Sequence, residues 1–318
     1  MDQLDLQKEI LLKPPLFLAG PTASGKSAVA LELAQRLDAE IISVDSMQVY
    51  RGLDVGTAKP TAEERAHVPH HLIDVVELHE PFDAAKFCAL AGVALADISR
   101  RGKRAIFCGG TGLYFKAWLE GLGDAPPADA AVRAELEQTP LPALLAELEQ
   151  RDAETFSRID RQNPRRVIRA LEVIRVTGKP FSAQRAAWSP ATQPVNASDN
   201  FFALQRAPED LHQRINVRVD EMFRRGLVEE TRQLLAHGLE SNRTAMQAIG
   251  YRQVVEHLRG ERNLVETIEL VKIRTRQFAK RQMTWFRRQL AAHWLPVAAA
   301  TKPEQIAELI REKARFSR

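Results

Sequence analysis

The segment Gly20-Pro21-Thr22-Ala23-Ser24-Gly25-Lys26-Ser27 constrains the fold more than any other part of the chain. It matches GxxxxGK[ST]. In that pattern glycines let backbone N–H groups converge on an anion and the lysine adds a point charge. The final hydroxyl can ligate Mg2+, and the next helix points its N-terminus at phosphate. The mechanism requires a strand before the loop and a helix after it, and both are legible. Leu16 to Ala19 is a short apolar run behind Pro14-Pro15. Val29, Ala30, Leu33, Ala34 and Leu37 recur at helical spacing. Glu40 to Asp45 then reads as a second strand that ends at a carboxylate. Strand, loop, helix and strand make a βαβ unit.

The alternation continues. An apolar run, Leu72 to Val76, follows a polar segment. Asp83 as N-cap predicts a helix to about Arg100, with Gly102 just beyond its end. Arg104 to Cys108 reads as the next strand, and Gly109-Gly110-Thr111 opens a helix through Trp118. The expected fold is α/β: a P-loop NTPase-like parallel sheet flanked by helices. The pattern changes near Gly121. Residues 122–198 carry helical periods and no convincing strand, including a helix from Pro164 to Gly178. Trp188 to Asn200 reads as a connection, and Phe201 to Leu204 as a strand again. The economical organisation is a core at 14–121 and 199–295 that carries a helical insertion at 122–198. From Pro208 onward the chain reads as helical, and 296–318 as a C-terminal tail.

Hydrophobic residues at 45% and charged residues at 27% suit a globular protein, and the net charge of +4 proves little until its distribution is known. Cys88 and Cys108 are too few for a disulfide framework and lack zinc spacing, which points to a reduced, cytoplasmic setting. Neither a membrane-length apolar run nor a signal-peptide pattern is legible.

The loop motif indicates phosphate without naming ATP. An ordinary P-loop NTPase places a second acid at the end of a neighbouring strand. Here the strand ending at Cys108 runs into Gly109-Gly110, and the well-placed carboxylate is Asp45. At the ligand-binding edge of a βαβ fold, Asp45 could orient Mg2+ or accept a proton, although an Asx turn at a strand end is common. The nearby Gly56-Thr57-Ala58-Lys59-Pro60 reads as a loop of little weight on its own. Val271 to Arg288 holds seven basic residues and no acid. Ile268, Val271, Phe278 and Trp285 share one helical face, and Arg274, Lys280, Arg281, Arg287 and Arg288 lie on the other. A face of one sign suits a polyanion. Arg161, Arg165, Arg166 and Arg169 form a second basic cluster beside the apolar Val167, Leu171 and Ile174. Two basic surfaces suggest a clamp on one backbone. His67, His70 and His71 match no structural zinc pattern and read as a loop. Arg214 and Arg218 share a helix face, as surface ion-pair partners or as a pyrophosphate clamp.

Taken together, GPTASGKS, ISVDSMQVYRGLDVGTAKP, PHHLID, CGGTGLYFKAWLEGL, QNPRRVIRALEV, LHQRINVRVDEM, AIGYRQ and TRQFAKRQMTWFRR resemble the tRNA dimethylallyltransferases, also called tRNA isopentenylpyrophosphate transferases. They occur in family order from Gly20 to Arg288. The resemblance implies transfer of a dimethylallyl group from dimethylallyl pyrophosphate to N6 of the adenosine 3′ of the anticodon. Pyrophosphate would be released and Mg2+ required. It also implies that Gly20 to Ser27 holds the pyrophosphate, with Ser27 toward the metal. Asp45 would be the general base, acting with Lys26 and Arg218 in catalysis. By the same likeness tRNA meets Asp45, Ser46, Met47 and Gln48; Thr111 and Arg133; and Gln162, Asn163, Pro164, Arg165 and Arg166. Further contacts are implied at Gln247, Ala248, Ile249, Gly250, Tyr251 and Arg252, and at Lys280, Arg281, Gln282, Met283, Thr284, Trp285, Phe286 and Arg287. The insertion would grip the anticodon stem-loop, and a monomer is expected. Ser27 stands where many members carry Thr, and both offer a hydroxyl. The competing readings are a P-loop small-molecule or nucleoside kinase and a nucleotide-gated RNA-binding protein.

Overall fold

The computed structural model describes residues 13–184 and 200–315. Most of the expected connection from Trp188 to Asn200 lies outside them. The chain divides into two compact units, Met1–Lys116 with Ser189–Arg318, and Ala117–Trp188.

In the first unit, β1 (Leu16–Ala19) leads through the glycine-containing loop into α1 (Lys26–Leu37), and β2 (Ala39–Val44) follows. Next come α2 (Ala62–His67), β3 (His70–His71), α3 (Ala84–Arg100) and β4 (Arg104–Gly109). The division between the units falls within α4 (Gly112–Glu120). The second unit holds α5 (Ala130–Gln138), α6 (Leu141–Arg151), α7 (Ala153–Arg158) and α8 (Pro164–Thr177). The first unit resumes with β5 (Phe201–Arg206), α9 (Pro208–Arg224), α10 (Leu227–Ala236) and α11 (Tyr251–Leu258). It ends with α12 (Leu264–Gln289), β6 (His293–Val297) and α13 (Pro303–Lys313).

All six strands are parallel, in the order β3-β2-β4-β1-β5-β6. The four inner strands are buried almost throughout, so they read as continuous apolar runs and not as alternating ones. Leu16, Leu18, Ile106 and Leu204 pack with Val29 and Leu33 of α1 and with Ile306 and Ile310 of α13. Phe17 stacks on Phe107 with ring centres 5.0 Å apart and meets Phe201 edge-on at 5.8 Å. Asp83 caps α3 by accepting the Lys86 amide. Asn263 and Glu266 form a capping box at the start of α12.

Four expectations change. The region from Pro208 is not wholly helical, because His293–Val297 adds a sixth strand beside β5. Pro296 is tolerated there because the strand lies at the sheet edge. The segment 296–318 is more than a tail, since α13 covers α1 and completes the core. The histidine segment is not a loop. It forms α2 and the edge strand β3, and His71 Nε2 meets the buried Glu40 carboxylate at 2.7 Å. The apolar run after it forms no strand: Leu72 and Asp74 take left-handed backbone angles, and Val76 makes an isolated bridge to Tyr50.

The second unit has its own core, built from Leu136, Leu144, Leu148, Val167, Ala170, Leu171 and Ile174. Gly178, at φ 72°, ends α8 where the sequence indicates. Among the described residues no helix is long and apolar enough to cross a membrane.

Candidate active site

The loop between β1 and α1 turns tightly, with Ser24 N–H donating to the Pro21 carbonyl at 3.2 Å. Ser24 is fully buried, and its Oγ has no partner among the described residues. Ser27 lies exposed on the first turn of α1. The loop forms one wall of a cavity of about 430 Å3 whose lining belongs wholly to the first unit. Lys26, Asp45 and Arg218 share that cavity. Burial pushes the Lys26 amine below its usual value; the charge of Arg218 adds to the shift and that of Asp45 opposes it. Burial likewise lowers Arg218, against the attraction of Asp45. With Arg281, which also lines the cavity, three cations face one carboxylate, which leaves the cavity with an excess of positive charge. Of the two arginines that share a face of α9, Arg218 is the one that lines the cavity. Arg214 turns to the loop backbone, donating from Nε to the Ala23 carbonyl at 2.9 Å.

Asp45 is the first residue past β2. Its Oδ1 accepts the amides of Met47 at 2.8 Å and Gln48 at 3.3 Å, so the Asx turn and the cavity position coexist. Thr111 ties this turn to the end of β4: its Oγ1 accepts from Ser46 N–H at 3.1 Å, and its own N–H reaches the Val44 carbonyl at 3.1 Å. Gln48 is engaged within the protein. Ser43 donates to its Oε1, and its Nε2 donates to the carbonyls of Thr57 and Ala58.

Gln48 thereby fixes the segment 54–60, which the sequence alone gives little weight. Gly56, Thr57 and Ala58 line the cavity. Lys59 is buried and donates to the Tyr50 carbonyl at 2.6 Å, to Asp54 at 2.7 Å and to Asp74. Glu230 accepts the amides of Val55 and Gly56, and Tyr251 O–H donates to Glu230 at 2.5 Å.

The missing second acid has a steric reason. A Cβ at Gly109 would lie 2.0 Å from the Val44 carbonyl oxygen, and one at Gly110 would lie 2.5 Å from Gln282 Nε2. At Gly109 the clash is with the β2 backbone, so no side chain fits there; at Gly110 a substituent would displace the end of the Gln282 side chain and its hydrogen bonds. Cys108, just before it, is buried. Burial pushes its thiol up to about 11, against the field of Lys26, so it stays neutral.

Helix α12 departs from the face assignment made from sequence. Its buried positions are Thr267, Val271, Ala279, Gln282 and Phe286. Phe278 is 38% exposed and lines the cavity with Val271, Thr275, Arg281 and Gln282. Lys272 pairs with Asp220 and Glu269, and Arg276 donates to Asn216. Lys280, Arg281, Arg287 and Arg288 remain exposed. Trp285 is half-buried against Gly112, whose Cβ position lies 2.1 Å from the ring. Met283 is half-buried and Thr284 exposed. In the preceding segment Ala248, Gly250 and Tyr251 are buried, Ile249 is half-buried and lines the cavity, and Gln247 and Arg252 are exposed. The residues that a bound chain can touch on these segments are therefore a subset of those the motifs suggest. Val219, Met222, Val271, Thr275 and Phe278 were not among the sequence candidates. Their spacing on α9 and α12 is the available signal, and core residues share it.

Within the second unit, Gln162, Pro164, Arg165 and Arg166 are exposed and Asn163 is half-buried at the start of α8. Arg169 is not free: it pairs with the fully buried Glu172 at 2.8 Å, as does Arg133 at 2.7 Å. The Asp129 amide also donates to Glu172.

Among the described residues no group of three or more His, Cys, Asp or Glu could hold a metal. Ser27 and Asp45 are nevertheless oxygen donors on one cavity. That set fits a hard cation which arrives with phosphate oxygens and keeps several waters, as Mg2+ does.

Comparison with known proteins agrees with this architecture. The chain is 49% identical over 284 residues to tRNA dimethylallyltransferase 1 of Trichlorobacter lovleyi, covering 88% of this chain and 92% of the relative. The crystal structure of a tRNA isopentenylpyrophosphate transferase from Bacillus halodurans is similar, with 39% identity and a TM-score of 0.67 over 93% of this chain and 95% of that one. A eukaryotic dimethylallyltransferase described as acting on tRNA is similar at 29% identity and a TM-score of 0.71, over 90% of this chain and 73% of that one. The sequence model of the IPP transferases matches residues 48–289, and the chain belongs to that family.

Proposed function

We propose that this protein transfers a dimethylallyl group from dimethylallyl pyrophosphate to N6 of the adenosine 3′ of the anticodon in tRNA. The observation that carries the reading is one cavity in which Asp45 shares space with the cradle, Lys26 and Arg218, lined also by Val219, Met222, Val271 and Phe278. Those apolar side chains suit a five-carbon chain, and the cations suit its diphosphate. The diphosphate is the leaving group. Free backbone amides of the loop, Lys26 and Arg218 stabilise its developing charge as the C1–O bond breaks. The adenine N6 lone pair is delocalised and weakly nucleophilic. Asp45 accepts the N6 proton as the N6–C1 bond forms. Mg2+, held from Ser27 and the diphosphate oxygens, would supply further charge neutralisation. An adenine in a loop leaves its stack more easily than a paired one. The exposed cations of α12 and of the second unit supply phosphate contacts to the tRNA.

The reading is tested by incubating the protein with unmodified tRNA, dimethylallyl pyrophosphate and Mg2+, then looking for the prenylated nucleoside by mass spectrometry. A parallel incubation with ATP should give no phosphorylated tRNA and negligible hydrolysis, because no acid stands at the end of β4 to position a water. tRNA-stimulated ATP turnover without prenylated product would favour the kinase-like reading and defeat this one.

A further inference from the structure

Two arginines outside this mechanism converge on the carbonyl side of the cradle loop. Arg206, the last residue of β5, is buried. Its Nε donates to the Ser24 carbonyl at 2.7 Å, and its Nη1 donates to Asp210 at 2.8 Å and to the Ala298 carbonyl at 3.2 Å. Arg214, on α9, donates from Nε to the Ala23 carbonyl at 2.9 Å. A Cβ built at Gly25 would lie 3.5 Å from Arg214 Nη2 and 3.6 Å from Arg206 Nη2. Both guanidinium groups therefore flank the same point of the loop.

We propose that Arg206 and Arg214 are positioning residues that hold two successive peptide planes with their carbonyls outward, so that the Gly25 N–H faces the bound anion. The proposal rests on reading this loop as a diphosphate cradle. In a planar trans peptide the C=O and the following N–H point in opposite directions. With the Ser24 oxygen fixed on Arg206, the Gly25 N–H is turned the other way. With the Ala23 oxygen fixed on Arg214, the Ser24 N–H closes the turn on Pro21. A flip of the Ser24–Gly25 peptide would set a carbonyl oxygen against phosphate. The loop needs such bracing, because Ala23 at φ 63° and Gly25 at φ 94° both lie in the left-handed region, which is unfavourable for alanine. Two like charges also repel each other at this site. The loop carbonyls, Asp210 and the Ala298 carbonyl offset that repulsion.

The test uses the full chain labelled with 15N-glycine and titrated with inorganic pyrophosphate and Mg2+. Affinity is read by calorimetry and the Gly25 amide by NMR. In the wild-type protein the Gly25 amide proton should move downfield on binding. Arg214→Met should weaken pyrophosphate about tenfold or more, the scale of one lost charge-assisted hydrogen bond, and shrink the Gly25 response. Arg206→Lys, which keeps the buried charge near Asp210, should show a smaller loss in the same direction. Methylguanidinium should partly restore Arg214→Ala. Affinity for an anticodon stem-loop should not change. Unchanged pyrophosphate affinity in both variants would overturn the brace. So would weakened binding with a full Gly25 response, since the arginines would then act as charges alone. Failure of the wild-type protein to bind pyrophosphate would overturn the cradle reading beneath it.

Discussion

Gln282 accepts the Thr22 amide proton on Oε1 at 2.9 Å, joining the cradle loop to the C-terminal half of the basic helix α12. Its Nε2 donates to the Gly110 carbonyl at 2.9 Å, so one buried amide satisfies both loop ends. The Thr22 N–H is therefore already engaged, and the anion is left to the amides deeper in the turn. Gln282→Leu leaves a donor and an acceptor without partners. The expected loss of stability is about 1–3 kcal/mol, with weaker pyrophosphate binding. Gln282→Glu keeps the acceptor but sets a buried carboxylate against the Gly110 carbonyl and on the anion cavity, so it should weaken pyrophosphate binding at least as much as Gln282→Leu. Urea unfolding and pyrophosphate titration measure both effects, and wild-type values in Gln282→Leu would deny the link any role.

Much of this arrangement was legible in the sequence. The P-loop could be placed because Leu16–Ala19 and the helical period after Lys26 give it the strand and helix its chemistry needs. Asp45 could be placed because all strands of a parallel sheet end at the same edge, although β2 is not the direct neighbour of β1 that a plain βαβ reading suggests: β4 lies between them. The rest failed for identifiable reasons. His293–Val297 did not read as a strand because it is short, lies half in solvent at the sheet edge, and is interrupted by Pro296. Phe278 read as core because its helical phase is close to that of Val271, and only the tertiary packing shows that its ring meets the cavity. Lys59 sits in a segment that looks like plain loop. Its burial follows from the meeting of Asp54, Asp74 and the Tyr50 carbonyl, which are brought together from positions up to 15 residues away.

Asp45→Asn should leave the fold intact. The asparagine oxygen can still accept the Met47 and Gln48 amides that the aspartate holds now. The amide is a poor proton acceptor, so the single-turnover rate should fall about 10²-fold or more, the usual scale for a lost general base. Near-normal chemistry in a protein with an unchanged melting temperature would remove Asp45 from the role.

Lys280, Arg281 and Arg287 are exposed on α12, whereas Lys272 and Arg276 are engaged within the protein. Replacing the three exposed residues with alanine should weaken tRNA binding and flatten its salt dependence. At about −0.7 in the slope of log K against log[salt] per single-stranded phosphate contact, three lost contacts reduce its magnitude by about 2. Filter binding across a salt series reads this directly. A slope that does not change would place the RNA elsewhere.

Lys26 gives the cradle a pH limit whose sign follows from linkage. Burial lowers its pKa in the free protein, with Arg218 adding to the shift and Asp45 opposing it. A bound diphosphate favours the charged amine, so the ligated protein has the higher pKa of the two. Affinity is then at its full value below the free protein's lowered pKa. It declines as pH rises from there toward the pKa of the complex. The decline should therefore begin below the ordinary lysine value of 10.5. Within that window binding takes up a proton, which calorimetry in buffers of different ionisation enthalpy detects. Lys26→Met should abolish both the proton uptake and this alkaline limb, while weakening pyrophosphate binding at neutral pH. Its affinity for tRNA should stay close to wild type, because the exposed cations of α12 do not depend on Lys26. If Lys26→Met kept the same alkaline decline, another group would own it, and Lys26 would lose its place as the charge that meets the diphosphate.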